Sequence, residues 1–342
     1  MLTVTLYTRQ DCHLCEQAKT DLESLQAKYP HRLVEIDIDQ DSTLQKAYLA
    51  EIPVIEVGPY VLKAPFDKQK LMMTLGAALD RRGQLDKLGR EDYHDRVRRG
   101  QRISGSDRAM DWVSRHYLAL INLFMLLYFG LPILAPVLMK AGTAFPANII
   151  YTIYKPLCHQ FGFRSFFLFG EQAYYPLPEA HVSGVKTFDQ ITGFTGLHDP
   201  AGYGRFEARQ FVGNETVGYK MALCERDIAI YGAIFLFGIL FALTGRRMKP
   251  LHWILWVLIG LAPIGLDGFS QLFSQMDWSW LASVLPYRES TPFLRVLTGG
   301  LFGFTTAWFA YPYMEESMAE TRQFFIKKFE SIKQKNLSSV SQ

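Results

Sequence analysis

The sequence predicts an α/β head joined to an α-helical membrane body, and three observations lead there. The first 80 residues alternate short strand-like and helix-like runs, four long apolar stretches follow from residue 117 onward, and the basic residues gather beside those stretches. A chain of 342 residues exceeds one small domain, so a second unit is expected. The 49% hydrophobic content averages over unlike parts, since the first hundred residues read as soluble and the rest carries the apolar runs. A net charge of +3 is small for this length, and the basic residues form no patch interleaved with aromatics, which argues against a nucleic-acid partner. The N-terminal MLTVTLYTRQD lacks the basic, apolar and small-residue regions of a secretory signal, so the head is expected in the cytoplasm.

Within the head, residues 2–7 (LTVTLY) alternate as a strand. Asp11 is the expected N-cap of a helix through CEQAKTDLESLQAKY, which sets Cys12 at a helix start. Residues 33–38 (LVEIDI) give a second strand, STLQKAYLA a helix opened by Ser42, PVIEV a third strand, and PFDKQKLMMTLGAAL a closing helix. This order is that of a small thioredoxin fold over residues 1–80. Residues 81–115 turn polar and basic, with no apolar face wide enough to bury, and read as a basic linker.

The helical membrane domain is expected over residues 116–315, with about four spans. Residues 117–139 carry no charge and are long enough to cross about 30 Å of hydrocarbon. A kink is expected there at Pro132 or Pro136. Residues 227–245, 251–269 and 293–314 supply the other spans. The shorter run FPANIIYTIYKPLCHQFGF, interrupted by Pro and Lys, reads as re-entrant or interfacial. Three basic flanks, namely the linker, GRRMK at 245–249 and the C-terminal IKKFESIKQK, fall on one side if four spans exist. A fifth span would part the linker from the Arg246–Arg247 loop. The expectation is therefore an integral protein of a bacterial inner or cell membrane, with the lipid bilayer as partner, both termini cytoplasmic, and residues 316–342 a cytoplasmic tail. Residues 140–226 and 270–292 then face outward.

Four cysteines are too few for a disulfide scaffold, and they fall as Cys12 and Cys15, then Cys158 and Cys224. A CxxC at a helix N-terminus lowers the first thiol's pKa, because the helix dipole and free N–H groups stabilise a thiolate. Cys12 is then the attacking thiol and Cys15 the resolving one. Half of a zinc site is the other reading, but the head has no second CxxC or HxxxH to complete four ligands. The segments TRQDCHLCEQAKTDLESL, VEIDID and EIPVIEV resemble the bacterial glutaredoxin-like family that opens with T-x-x-D-C-H-L-C. That resemblance implies a cis-proline at Pro53 facing the cysteines; on physical grounds alone Pro53 reads as a strand-start proline. Where many glutaredoxins carry a Gly-Gly segment that helps hold glutathione, this chain has GPYVLKAP. Glutathione is accordingly disfavoured as cosubstrate, and a thiol or disulfide protein, or another small thiol, is the expected substrate.

The membrane body carries polar groups inside its apolar runs, in LCHQFGFRSFF, ALCERDIAIYG, GLDGFSQ and LPYRESTPFLRVLTG. A charge at mid-helix costs about 2.5–3.5 kcal/mol on insertion scales, so such groups pair or serve a site. Under the four-span topology Arg226, Asp267, Arg288 and Arg295 land on one face and are expected to form a network that Gln271 joins. Cys158 and Cys224 admit three readings: an outer disulfide, metal ligation of a transition ion such as zinc by Cys158, His159, Cys224 and Asp227, or plain packing. His181 and His198 are expected in solvent. These motifs resemble a family of predicted bacterial and archaeal membrane proteins of unknown function. Its pattern runs Cys-His, Arg-Ser-Phe (here Arg164), Cys-x-Arg, Leu-Asp-Gly-x-x-Gln, Arg-x-Ser and Arg-x-x-Thr-Gly. Some of its members have a second cysteine where this chain has Asp227. Three functions follow as expectations: a membrane-tethered thiol–disulfide oxidoreductase, a metal-binding or metal-transporting membrane protein, and a transmembrane thiol relay. The last lacks any cysteine at mid-membrane.

Overall fold

Leu2, Val4 and Leu6 point to one side of the first strand while Thr5 and Tyr7 point to the other, and all five are buried. A strand apolar on both faces belongs in the middle of a sheet covered on both sides. The computed structural model describes residues 2–87, 102–197, 203–276 and 286–340; residues 88–101 of the expected linker, and His198, lie outside them. The chain divides into two compact units, residues 1–116 with 316–342, and residues 117–315.

In the first unit, β1 (Leu2–Thr8) is central, parallel to β2 (His31–Asp37) and antiparallel to β3 (Val54–Val57), which pairs with β4 (Tyr60–Lys63) in the order β2-β1-β3-β4. This is the thioredoxin-like head that the sequence predicts, with one strand more than expected. β4 is a four-residue edge strand with no buried residue, too short for its alternation to be read from sequence. A two-residue turn at Gly58-Pro59 creates it, with Gly58 at φ +58° in the region that glycine adopts freely. Helices α1 (His13–Leu25) and α3 (Lys68–Lys87) cover one face through Leu22, Leu71 and Leu75, and α2 (Ser42–Tyr48) covers the other through Leu44. α3 continues to Lys87 and so takes in the first residues of the expected linker.

The second face of the sheet is completed by the C-terminal helix, Pro292–Val340, whose Ile326 packs against the cluster of Tyr7, Val34 and Val54. Lys327 pairs with Glu56 at 2.5 Å, Arg32 donates to Ser331 at 2.9 Å, and Gln334 donates to the Glu35 carbonyl at 3.1 Å. α4 (Gly105–Lys140) joins the same unit at its start, where Asp107 pairs with Lys328 at 2.8 Å. Residues 316–336 are therefore a packed layer of this unit.

The second unit contains the rest of α4, then α5 (Ala144–Tyr154), a lobe with β5 (Phe167–Leu168), α6 (Phe188–Thr192), α7 (Tyr203–Gln210), β6 (Gly213–Asn214) and β7 (Gly218–Lys220), then α8 (Glu225–Leu243) and α9 (Trp253–Ser274), and the part of α10 (Pro292–Val340) up to Glu315. Among the described residues four helices, α4, α8, α9 and α10, are long and apolar enough to cross a membrane. α5 rises only about 16 Å at 1.5 Å per residue and does not span. The lobe has its own aromatic core of Phe163, Phe167, Tyr175 and Phe188. α9 includes a π-helical turn at Trp256–Leu261.

The prolines inside these helices explain part of the packing. A proline frees the carbonyl four residues earlier, and in hydrocarbon that group needs another donor. Pro132 frees Tyr128, whose carbonyl accepts from the Tyr154 hydroxyl at 2.7 Å. Pro136 frees Pro132, whose carbonyl accepts from the Ala222 N–H at 3.2 Å. Pro312 frees Trp308, whose carbonyl accepts from Leu251 N–H at 3.4 Å. The first two bonds tie α5 and the segment before α8 to α4. α8 and α10 meet backbone to backbone at Gly299 and Gly303, where a Cβ would stand 2.8 Å from the Arg226 carbonyl oxygen and 2.2 Å from that of Ile230.

Candidate functional site

In the head, Cys12 and Cys15 are joined as a disulfide, with Sγ–Sγ 2.02 Å. Cys12 itself is the N-cap of α1, in place of the expected Asp11, which sits just before it at φ +57°. The Cys12 carbonyl accepts from the N–H groups of Cys15 and Glu16 at 3.0 and 3.1 Å, and its Sγ accepts from the Cys15 N–H at 3.2 Å. A cap sulfur that accepts from an N–H of the first helical turn is in an environment that stabilises a thiolate. The two cysteines differ in access: Cys15 is 1% exposed, whereas Cys12 is half-buried. The Ile52–Pro53 peptide is cis, as the glutaredoxin-like resemblance implies, and leads directly into β3.

In the second unit, the tie from Pro132 to Ala222 and the anchoring of Tyr154 bring two distant thiols together. Cys158 follows α5, its N–H bonded to the Tyr154 carbonyl at 3.0 Å, and Cys224 is the N-cap of α8. Both are free thiols. Their sulfurs and an Asp227 carboxylate oxygen lie within 4.8 Å of one another. Asp227 shares a helix face with Cys224 by its three-residue spacing. A hydrogen bond from Cys224 lowers the Cys158 pKa, and the same bond, with burial, raises that of Cys224. His159 does not join this group: it is exposed and stacks on Phe161 at 5.5 Å. His181 is exposed, as expected.

Sequence reasoning missed Lys220, whose ammonium interacts electrostatically with Cys158. It is 1% exposed and donates to the carbonyls of Gln160 and Arg209, both at 2.7 Å. Burial pushes its pKa down to about 7, with the Cys158 charge opposing that shift.

The charged network forms where α8 begins, α9 ends and α10 begins. Asp267 accepts from Arg226 at 2.5 Å, Arg288 at 2.7 Å and the Ser290 hydroxyl at 2.7 Å. Arg295, 3% exposed, pairs with Glu225 at 3.2 Å and with Glu289. Glu289 also takes a two-pronged contact from Arg164, at 2.6 and 2.9 Å. Gln271 links the two clusters, donating to Glu289 at 3.1 Å while its carbonyl accepts from the Ser290 N–H at 3.3 Å. The five residues expected in the network, Arg226, Asp267, Gln271, Arg288 and Arg295, are all in it, and Arg164 of the Arg-Ser-Phe motif joins them through Glu289. Glu225, Glu289, Ser290 and Gln275 were missed. The signal that finds the two glutamates is charge balance: four arginines on one polar face need more than Asp267, and each glutamate adjoins one of those arginines in sequence.

Comparison with known proteins agrees with both halves. Residues 3–76 match the family described as "Glutaredoxin-like domain (DUF836)", and residues 211–309 match "Predicted membrane protein (DUF2085)". An uncharacterized protein of Methanocaldococcus jannaschii is 24% identical over 208 residues, covering 58% of this chain and 93% of that protein. No solved structure matches. The chain is thus a fusion of a glutaredoxin-like domain with a membrane domain of the DUF2085 family.

Proposed function

We propose that this protein is a membrane-anchored thiol–disulfide oxidoreductase whose chemistry resides in Cys12 and Cys15. The observation that carries the reading is the asymmetry of the pair, a half-buried cysteine at the helix cap and a buried one a turn later. In the reduced protein the Cys12 thiolate attacks a substrate disulfide, forming a mixed disulfide and releasing one substrate thiolate, which takes a proton from solvent. Cys15 then attacks the Cys12 sulfur and releases the second substrate thiol. Two electrons pass to the substrate, Cys12–Cys15 becomes a disulfide, and a cellular dithiol reductant restores it. The substrate class is a disulfide-bearing protein or small disulfide. The basic flanks support a cytoplasmic head, with the four helices holding it at a cell membrane. The test is trapping: Cys15→Ser should accumulate a mixed disulfide that reductant releases, and Cys12→Ser should not. Equal trapping by both variants, or by neither, refutes the assignment.

A second reading concerns the membrane domain. We infer that Cys158, Cys224 and Asp227 bind a transition ion such as zinc, supported by the convergence of three suitable donors from segments 66 residues apart in sequence. Three protein ligands leave a fourth position open. Full-length protein purified without chelators should carry stoichiometric zinc, and Cys158→Ser or Asp227→Asn should remove most of it. Metal content unchanged by either substitution sinks the reading.

A further inference from the structure

Between the ends of α8, α9 and α10 lies a cavity of about 340 Å³ whose wall is unusual in its charge. Arg164, Arg226 and Arg295 line it together with the amides of Gln271 and Gln275, and no carboxylate is among its lining residues. The carboxylates that neutralise these arginines, Glu225, Asp267 and Glu289, stand behind them. Within the network four guanidiniums meet three carboxylates, which leaves one positive charge in excess.

Arg226 has donor capacity to spare. Its Nη2 is held by Asp267, while its Nε–H is buried with no partner among the described residues. Gly268, also on the wall, leaves open the space beside Nη1, where a Cβ would stand 3.5 Å away. Guanidiniums held by carboxylates on one side present fixed N–H groups on the other, without the entropy cost of ordering a long side chain on binding.

From this geometry we infer that the cavity binds a small tetrahedral oxyanion of the phosphate class. Three guanidiniums from three separate segments suit a group with three or four acceptor oxygens better than a planar carboxylate with two. The same chemistry is offered by free phosphate and by the phosphate of an anionic lipid headgroup.

The experiment uses the full-length protein in nanodiscs and has two arms. In discs of phosphatidylcholine alone, inorganic phosphate is titrated by calorimetry. In discs that include phosphatidylglycerol, retained lipid is counted by native mass spectrometry. Saturable binding is expected in at least one arm, and the arm identifies the source. Arg226→Gln should weaken it at least tenfold. Because that variant also disturbs Asp267, Gly268→Leu serves as the second: it fills the cavity wall, removes no charge, and should weaken binding by a similar factor. Gly300→Ala, which meets nothing within 4 Å, should leave it unchanged. Absence of binding in both arms, or binding that both cavity variants retain, overturns the inference and leaves the arginines as a structural network.

Discussion

Replacing Glu289 by glutamine tests how much the buried network holds the membrane unit together. Glu289 is 3% exposed and accepts from Arg164, Arg295, Gln271 and Gln275. The amide keeps the shape, removes the charge, and sets an NH2 group among N–H groups that now donate to the carboxylate, two of the four partners being arginines with no acceptor to offer. Arg295 retains Glu225, but Arg164 has no second carboxylate partner among the described residues. Removing one partner of a buried pair costs about 3–5 kcal/mol, because it strands the other charge. For a unit of this size that lowers the melting temperature by about 6–20 °C. Thermal unfolding of the protein in nanodiscs, followed by tryptophan fluorescence, reads the change. The double variant Glu289→Gln/Arg164→Gln should recover part of the loss. The pH dependence has a definite sign. Burial raises the Glu289 pKa, but Arg164 and then Arg295 outweigh it, and the net direction is down. Its contribution is therefore complete above about pH 4.3, the unfolded value, and disappears as pH falls through the lower folded value. The gap between parent and variant should be constant from neutral pH down to about 5 and close in stronger acid. A fall of under 2 °C at neutral pH would refute the reasoning, since it would mean the network contributes nothing that the amide does not replace.

Other consequences can be checked in the same preparation. Gly303→Leu should separate α8 from α10 and disrupt folding outright, because its Cβ meets the Ile230 carbonyl at 2.2 Å, whereas Gly300→Leu should be mild. Tyr154→Phe removes the donor that satisfies the Tyr128 carbonyl freed by Pro132 and should cost about 1–3 kcal/mol, read as a lowered melting temperature. Lys220 binds its proton less tightly when folded, with a pKa near 7 against about 10.4 unfolded, so stability should rise with pH between those values. Lys220→Met should abolish that part of the rise; an identical pH profile in the variant would contradict it.

The strands and helices of the head were legible because each strand alternates or is continuously apolar and each helix carries an apolar face. β4 was not, since YVLK at an edge is too short for a period and its turn is only Gly58-Pro59. The four spans were legible from length and absence of charge. The packing of residues 316–336 on the head was hidden by lysines: Phe325, Ile326 and Ile332 sit at helical spacing within a basic run that reads as a solvated tail. The lobe between α5 and α8 was hidden as well, because its aromatic core is assembled from residues scattered between Phe163 and Phe211 with no regular interval. Of the sites, the CxxC announces itself by spacing alone. The convergence of Cys158 with Cys224 depends on carbonyls freed by Pro132 and Pro136, a long-range consequence that no local pattern carries. His159 fell outside that group because the chain turns at Gln160, φ +54°, just after it, leaving the ring on the surface.

The most direct test of Cys12 as the attacking thiol is its alkylation rate as a function of pH. The full-length protein is reduced, reacted with iodoacetamide, and the modified site read by mass spectrometry. Cys12 should react first, with an apparent pKa well below the free-cysteine value of about 8.5, and Cys15 should be protected by burial. A Cys12 pKa at or above about 8.5, or faster modification of Cys15, would contradict the assignment.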